Sequence, residues 1–343
     1  MSFSRRNFLK QAGAAGVGLA IPFSLKAAPS NPLEAIRPKR LAMDQTIGLV
    51  TPASQISGSE LDDIVDKLTN MGLRVKLGQH VLDRYGYLAG QDLDRADDVN
   101  TMFADPEVDA ILATRGGWGC NRMLEYLDYD LIRNNPKIIM GYSDITSLLI
   151  AIYTKSNLVT FHGPVGTATW NTFTKEYVSR ILYDGEEATM SNQYPVTSNP
   201  TSVRTIKSGE AEGILIGGNL SVLTAMLGSP YAPQRWDDKI LFLEETDEEA
   251  YRVDRMLTQL RIAGVLTQVR GVVFGDCKNC SPKSSPSLTF NDVLWDHLGN
   301  LGIPAWYGSM IGHIANKFTM PIGVPARINS VTGTIQMLAP AVS

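Results

Sequence analysis

Three features of this chain suit acyl transfer: a serine at a tight turn, acids at a strand end, and histidines beside glycine. Gly141-Tyr142-Ser143-Asp144 follows the apolar run Lys137-Ile138-Ile139-Met140 and precedes a helical pattern from Ile145 to Thr154. That arrangement puts Ser143 beyond the carboxyl end of a strand and at a helix N-terminus, where free N–H groups and the helix dipole favour developing negative charge. The run is not G-x-S-x-G, because Ile145 stands at the last glycine. Ser143 or Asp144 acting only as a helix cap accounts for the same residues, and both readings stay open on the sequence. Gly116-Gly117-Trp118-Gly119 closes another apolar run and could bring backbone N–H groups to an oxyanion. Gly217-Gly218-Asn219 could line the same cleft.

A serine nucleophile needs a base, and the histidines are His80, His162, His297 and His313. His297 falls in an amphipathic pattern with Val293, Leu294 and Leu298 and reads as structural. His80 lies in a polar loop. His162, before Gly163-Pro164, and His313, after Gly312, both sit at expected strand ends, and the sequence does not rank them. An acid must hold the imidazole tautomer. Glu244 and Glu245 end the strand Ile240-Leu241-Phe242-Leu243, although acids in that place also simply begin solvated loops.

Other chemistries fit poorly. There is no G-x-x-x-x-G-K-[ST], and G-G-x-G lacks the spacing of a dinucleotide fingerprint. No H-E-x-x-H, histidine–cysteine cluster or EF-hand pattern occurs, so neither metal nor cofactor is expected. The cysteines are Cys120, Cys277 and Cys280; Cys277-Lys278-Asn279-Cys280 reads as an inert pair or a small disulfide, with Cys120 left over.

The elements that would position these residues alternate. Strand signals at 47–50, 75–77, 110–114, 137–140 and 159–161 are interleaved with helical patterns at 59–68, 95–103 and 145–154. This predicts an α/β fold with a mostly parallel, Rossmann-like sheet flanked by helices. A polar stretch with two prolines between Met190 and Ser208 marks a boundary. Beyond it come an apolar run at 213–216, a helix at 221–227, a strand at 239–243, a long helix at 250–263 and a strand at 269–274. These predict a smaller C-terminal α/β domain. The expected organisation is 45–190, a linker at 191–208, and 209–343.

The whole chain has 343 residues, a prior of about two domains. Its 44% hydrophobic and 19% charged content excludes a disordered chain and a multi-span membrane protein. A net charge of −4 lacks the basic footprint of a nucleic-acid binder, leaving a small or peptidic substrate. The first 28 residues read as an address. Ser4-Arg5-Arg6-Asn7-Phe8-Leu9-Lys10 precedes a weakly apolar stretch from Ala12 to Phe23, too short for a bilayer span, and matches a twin-arginine signal. Export through that machinery, into the periplasm, is expected.

Several segments together resemble the LD-carboxypeptidase family of serine peptidases. They are Leu88-Ala89-Gly90, Arg95-Ala96-Asp97-Asp98, Met102-Phe103-Ala104-Asp105-Pro106, the 109–119 segment, Gly141-Tyr142-Ser143-Asp144-Ile145-Thr146 and Thr160-Phe161-His162-Gly163-Pro164. Gly217-Gly218-Asn219-Leu220, Leu243-Glu244-Glu245 with Tyr251-Arg252-Val253-Asp254-Arg255, and Gly312-His313 before Pro321-Ile322-Gly323 continue the match in order from about Ile47. The resemblance implies two α/β domains with the site in the cleft between them, and a Ser-Glu-His triad at Ser143, Glu244 and His313, choosing His313 over His162. It implies an oxyanion hole at the backbone N–H groups of Gly117 and Asp144. The implied reaction is hydrolysis of the bond between a diamino acid L-centre and the terminal D-alanine of a murein tetrapeptide. Arg115 is then a candidate for the substrate's free carboxylate, with Trp118, Gly218 and Asn219 as further contacts. Family members are often homodimers. Two rival functions remain: hydrolysis of acyl-adenylate peptide antibiotics, and capture of muropeptides without turnover. An export signal departs from the cytosolic members that recycle murein and favours trimming of nascent or released wall peptides.

Overall fold

The apolar runs are spaced closely enough to stack as neighbouring strands, and in the computed structural model, which describes residues 34–192, 203–280, 283 and 285–343, they do. The twin-arginine segment and residues 193–202 of the expected linker lie outside the described residues. In chain order the strands are β1 (Thr46–Val50), β2 (Arg74–Leu77), β3 (Ala110–Ala113), β4 (Ile138–Gly141), β5 (Thr160–His162), β6 (Thr189–Ser191) and β7 (Arg204–Lys207). They continue as β8 (Glu210–Asn219), β9 (Lys239–Thr246), β10 (Gly271–Lys278), β11 (Ala305–Ser309), β12 (Met320–Ile322), β13 (Pro325–Asn329) and β14 (Thr334–Met337).

The first sheet has the order β12-β5-β4-β3-β1-β2. Its strands β1 to β5 are parallel, and β12 returns antiparallel against β5. Every residue of β3 and β4 is buried, as a parallel strand covered on both faces requires. The second sheet runs β6-β14-β13-β8-β9-β10-β11-β7, with a parallel centre from β8 to β11 and antiparallel edges.

The helices are α1 (Gly58–Thr69), α2 (Asp92–Ala104), the short α3 (Cys120–Met123) and α4 (Tyr129–Asn134), α5 (Ile145–Ser156), α6 (Thr172–Val178), α7 (Leu220–Met226), α8 (Ala250–Ile262) and α9 (Phe290–Leu298). Helix α1 begins in a capping box between Ser57 and Glu60 and buries Leu61, Ile64 and Leu68. Helix α5 differs: Ile145 to Ile152 are all buried. A helix apolar on every side must be enclosed, and α5 packs on β4 and β5 of the first sheet and on β8 of the second.

The expected mixed α/β architecture is present, but the chain crosses between layers. Strand β6, from the N-terminal half, joins the second sheet, and β12, from the C-terminal half, joins the first. The second sheet has more strands than the first. Its β11 to β14 carry no long apolar run, so the strand signals that mark the interior strands are missing there. The described ends of the polar 191–208 stretch are built in as β6 and β7. Residues Ala35–Ser343 form one compact unit. A disulfide joins Cys277 to Cys280, and Cys120 is a free, buried thiol.

Candidate active site

Ser143 follows β4 by two residues and adopts φ +64°, a left-handed conformation that a non-glycine residue rarely holds. Such strain persists only where surrounding structure imposes it. Here the enclosed helix α5 starts at once after Asp144, while β4 is pinned between β3 and β5. Neither capping reading describes the turn, because the helix-capping position is Asp144 and its side chain makes no cap bond. Instead Asp144 Oδ2 accepts from the Cys120 N–H at 2.8 Å, tying the serine turn to the glycine loop after β3. Burial pushes the Asp144 carboxyl up against these backbone donors.

That glycine loop lies against the serine. A Cβ on Gly116 would sit 2.8 Å from Ser143 Cβ and 3.0 Å from its Oγ, so only glycine permits this approach. Ser54, after β1, holds the loop by donating its N–H to Gly116 O and accepting from the Trp118 N–H, at 3.2 Å each. The N–H groups of Gly117 and Asp144 enter no backbone–backbone hydrogen bond among the described residues. Buried Arg95, on α2, donates to Pro52 O and, at 3.0 Å, to Gly119 O, fastening the loops after β1 and β3 together.

Strand β9 supplies the acids, and its two-residue period sends them to opposite faces. Glu244 Oε2 accepts from His313 Nδ1 at 2.7 Å. Glu245 faces away, accepting from Asn219 Nδ2 at 3.0 Å and the Ser221 N–H at 2.8 Å at the start of α7. Burial raises Glu245 to about 7. Burial would raise Glu244 too, but the facing histidines outweigh it and hold that carboxyl at about 2. For His313 burial lowers the imidazole pKa, and the Glu244 carboxylate more than offsets this, so the net direction is upward. Gly312, at φ +100°, is required by the close fit: a Cβ there would lie 2.2 Å from Glu244 Oε2.

Ser143 and His313 line one cleft of about 470 Å³ together with Glu60, Arg115, Gly116, Gly117, Tyr142, Val165 and Thr167. Among the described residues His313 makes its side-chain hydrogen bond to Glu244 and none to Ser143. Catalytic serine–histidine contacts are often loose without substrate and tighten when it binds. The structure thus brings Ser143, Glu244 and His313 to one place. His162 lines no part of the cleft; it is buried with Nε2 3.8 Å from Glu244 Oε1.

The remaining expected contacts divide. Arg115 lines the cleft with one N–H 3.3 Å from Glu60 Oε1. Trp118 is half exposed, edge-on to Tyr87. Gly218 packs on Thr146, and buried Asn219 caps α7, so neither lines the cleft. His80 bonds Asp83 at 2.8 Å, and His297 bonds Asp254 at 2.7 Å, outside the cleft.

Sequence reasoning missed Tyr142 and Lys317. The Tyr142 ring stacks edge-on to His313 with centroids 4.8 Å apart, and Lys317 Nζ lies 5.4 Å from the Tyr142 centroid. Burial lowers the Lys317 ammonium to about 8. The spacing Gly312-His313-(x)3-Lys317 carried the only available signal.

Two family models match this chain in succession: the LD-carboxypeptidase N-terminal domain over residues 47–163 and the LD-carboxypeptidase C-terminal domain over residues 212–328. The chain belongs to the LD-carboxypeptidase family. As a member it is a serine carboxypeptidase. It is 40% identical to a probable murein peptide carboxypeptidase of Bacillus subtilis (strain 168), across 87% of this chain and 93% of that relative. The wild-type apo structure of the microcin C7 self immunity protein MccF superposes with a TM-score of 0.82 at 26% identity, covering 90% of this chain and 100% of that one. A muramoyltetrapeptide carboxypeptidase from Oxalobacter formigenes does so with a TM-score of 0.73 at 28% identity, covering 85% and 98%. The family models begin at β1 and end within β13, so they include Ser143, Glu244 and His313.

Proposed function

We propose that this protein hydrolyses the bond between a diamino acid L-centre and the terminal D-alanine of murein tetrapeptides, through Ser143, Glu244 and His313. The observation that carries the reading is the Glu244–His313 hydrogen bond opening onto the cleft that also holds the strained Ser143. With Nδ1 bonded to Glu244, His313 has Nε2 to take the Ser143 proton as Oγ attacks the substrate carbonyl. Oγ bonds to the carbonyl carbon, and the former π pair moves to oxygen. The N–H groups of Gly117 and Asp144 then stabilise the oxyanion. Collapse expels the D-alanine amine, which takes its proton from His313, and water releases the acyl group by the same steps in reverse order of partners.

Murein peptides are favoured over acyl-adenylates by the higher identity to the murein peptide carboxypeptidase relative. Capture without turnover is disfavoured because a binder has no need of the strained serine and the oriented imidazole. A panel of tripeptide, tetrapeptide, pentapeptide and aminoacyl-adenylate analogues tests the reading. D-Alanine release confined to the tetrapeptide is expected; cleavage of the adenylate analogue alone would replace the substrate class.

The protein also acts, in this reading, outside the cytoplasm. The Ser4 to Lys10 motif supports it. Replacing Arg5 and Arg6 by lysine is expected to retain the precursor inside cells on fractionation. Unchanged export in that variant would remove the assignment.

A further inference from the structure

Glu244 is enclosed on every side, yet only one of its oxygens has a hydrogen bond. Oε2 accepts from His313. Oε1 is buried without a partner, and so is the atom it faces, Nε2 of His162, at 3.8 Å. Two buried, unpartnered polar atoms facing each other form an incomplete contact, because buried polar groups are almost always paired. At 3.8 Å the two atoms are within ion-pair reach and beyond hydrogen-bond length.

We propose that His162 is a positioning residue for the catalytic acid. It is held as the Nε2–H tautomer and donates directly to Glu244 Oε1 in the substrate-bound enzyme, so each carboxylate oxygen is held by one histidine. This inference rests on the triad reading above. The His162 ring is constrained edge-on by Phe242, at 5.6 Å between centroids and 69°, and by Tyr142, at 6.2 Å and 75°. Its strand fixes its place as well. His162 is in register with Gly141 of β4, two residues before Ser143, and with Met320 of β12. Glu244 comes from the other sheet. A His162–Glu244 bond consequently links the strand end carrying the nucleophile to the acid that orients the base, and it sets the separation of the two sheets where catalysis depends on it.

The ionisable groups around this contact are Glu244 and Glu245 on β9, His313 after β11, Lys317 before β12 and Tyr142 after β4. Within that set an N–H donor at His162 spreads the Glu244 charge over two hydrogen bonds. Without it the carboxylate attracts the His313 proton more strongly, and the imidazole stays protonated to higher pH.

Three measurements test the assignment. In the wild-type protein, 15N–1H spectra of the imidazoles are expected to show His162 protonated at Nε2; an Nδ1–H tautomer would overturn the proposal, whatever the substrate proves to be. His162→Phe, which keeps a ring but no donor, is expected to lower kcat about tenfold to a hundredfold with little change in KM. It should also move the acid limb of the kcat/KM profile to higher pH. His162→Gln, whose amide N–H can reach a similar position, should recover most of the rate and return the limb toward wild type. Equal rates and unchanged limbs in both variants would reduce His162 to packing and overturn the proposal. Wild-type turnover left unchanged by Ser143→Ala would instead reject the triad reading.

Discussion

At the scale of single residues, the site is crowded to the point that one added methyl group is decisive. Gly312 passes so close to Glu244 that a Cβ would overlap the oxygen bonded to His313. Gly312→Ala is expected to lower kcat/KM at least a hundredfold while the protein remains folded by circular dichroism. Near-normal kinetics would show that the acid does not need that geometry. The charge balance gives a second expectation. His313 is the base only when neutral, and its pKa is raised, so activity should fall as pH drops through a value above the usual imidazole pKa of about 6.5. Glu244, held at about 2, contributes no limb near neutrality. Glu245, raised to about 7, titrates in the same range and must be separated from His313. Glu245→Gln is expected to retain the acid limb in the kcat/KM profile; its disappearance would assign the limb to Glu245.

At the scale of elements, the site is held by loops that follow parallel strands, and their fastening is buried. Arg95 is the clearest case. Its guanidinium, on α2, spans the carbonyls of Pro52 and Gly119 and pairs with Asp92. Arg95→Met would leave these acceptors without a donor in a dry interior, a loss of about 3 kcal/mol. Chemical denaturation should register that loss, and kcat/KM should fall with it because Gly117 follows the same loop. A variant of unchanged stability would mean that the loops are held elsewhere. The sequence was informative about these elements where the signal is local. The serine turn, both glycine loops and the parallel strands β1 to β5 and β8 to β10 are legible because each is a local apolar run with an abrupt end. The exceptions depend on distant partners. The local pair with Asp92 does not announce that Arg95 will be buried, since its other partners are backbone carbonyls 43 and 24 residues away.

At the scale of the whole molecule, the same distinction explains the histidines. His162 and His313 have similar neighbours in sequence and differ only in which oxygen of Glu244 they face and whether they open onto the cleft. That choice is made by the packing of two sheets around α5, which local periodicity does not encode; the family resemblance pointed to His313, and the structure shows it beside the cleft. The expected two-part organisation also changes character. With β6 and β12 exchanged between the sheets, neither half of the chain completes its own layer. The central claim is that Ser143 of this assembled cleft cleaves a terminal D-alanine. Measured D-alanine release from a murein tetrapeptide by purified protein and by Ser143→Ala tests it most directly. The account predicts turnover by the wild type and a loss of at least about 10³-fold in the variant. Equal turnover by the two proteins would contradict it.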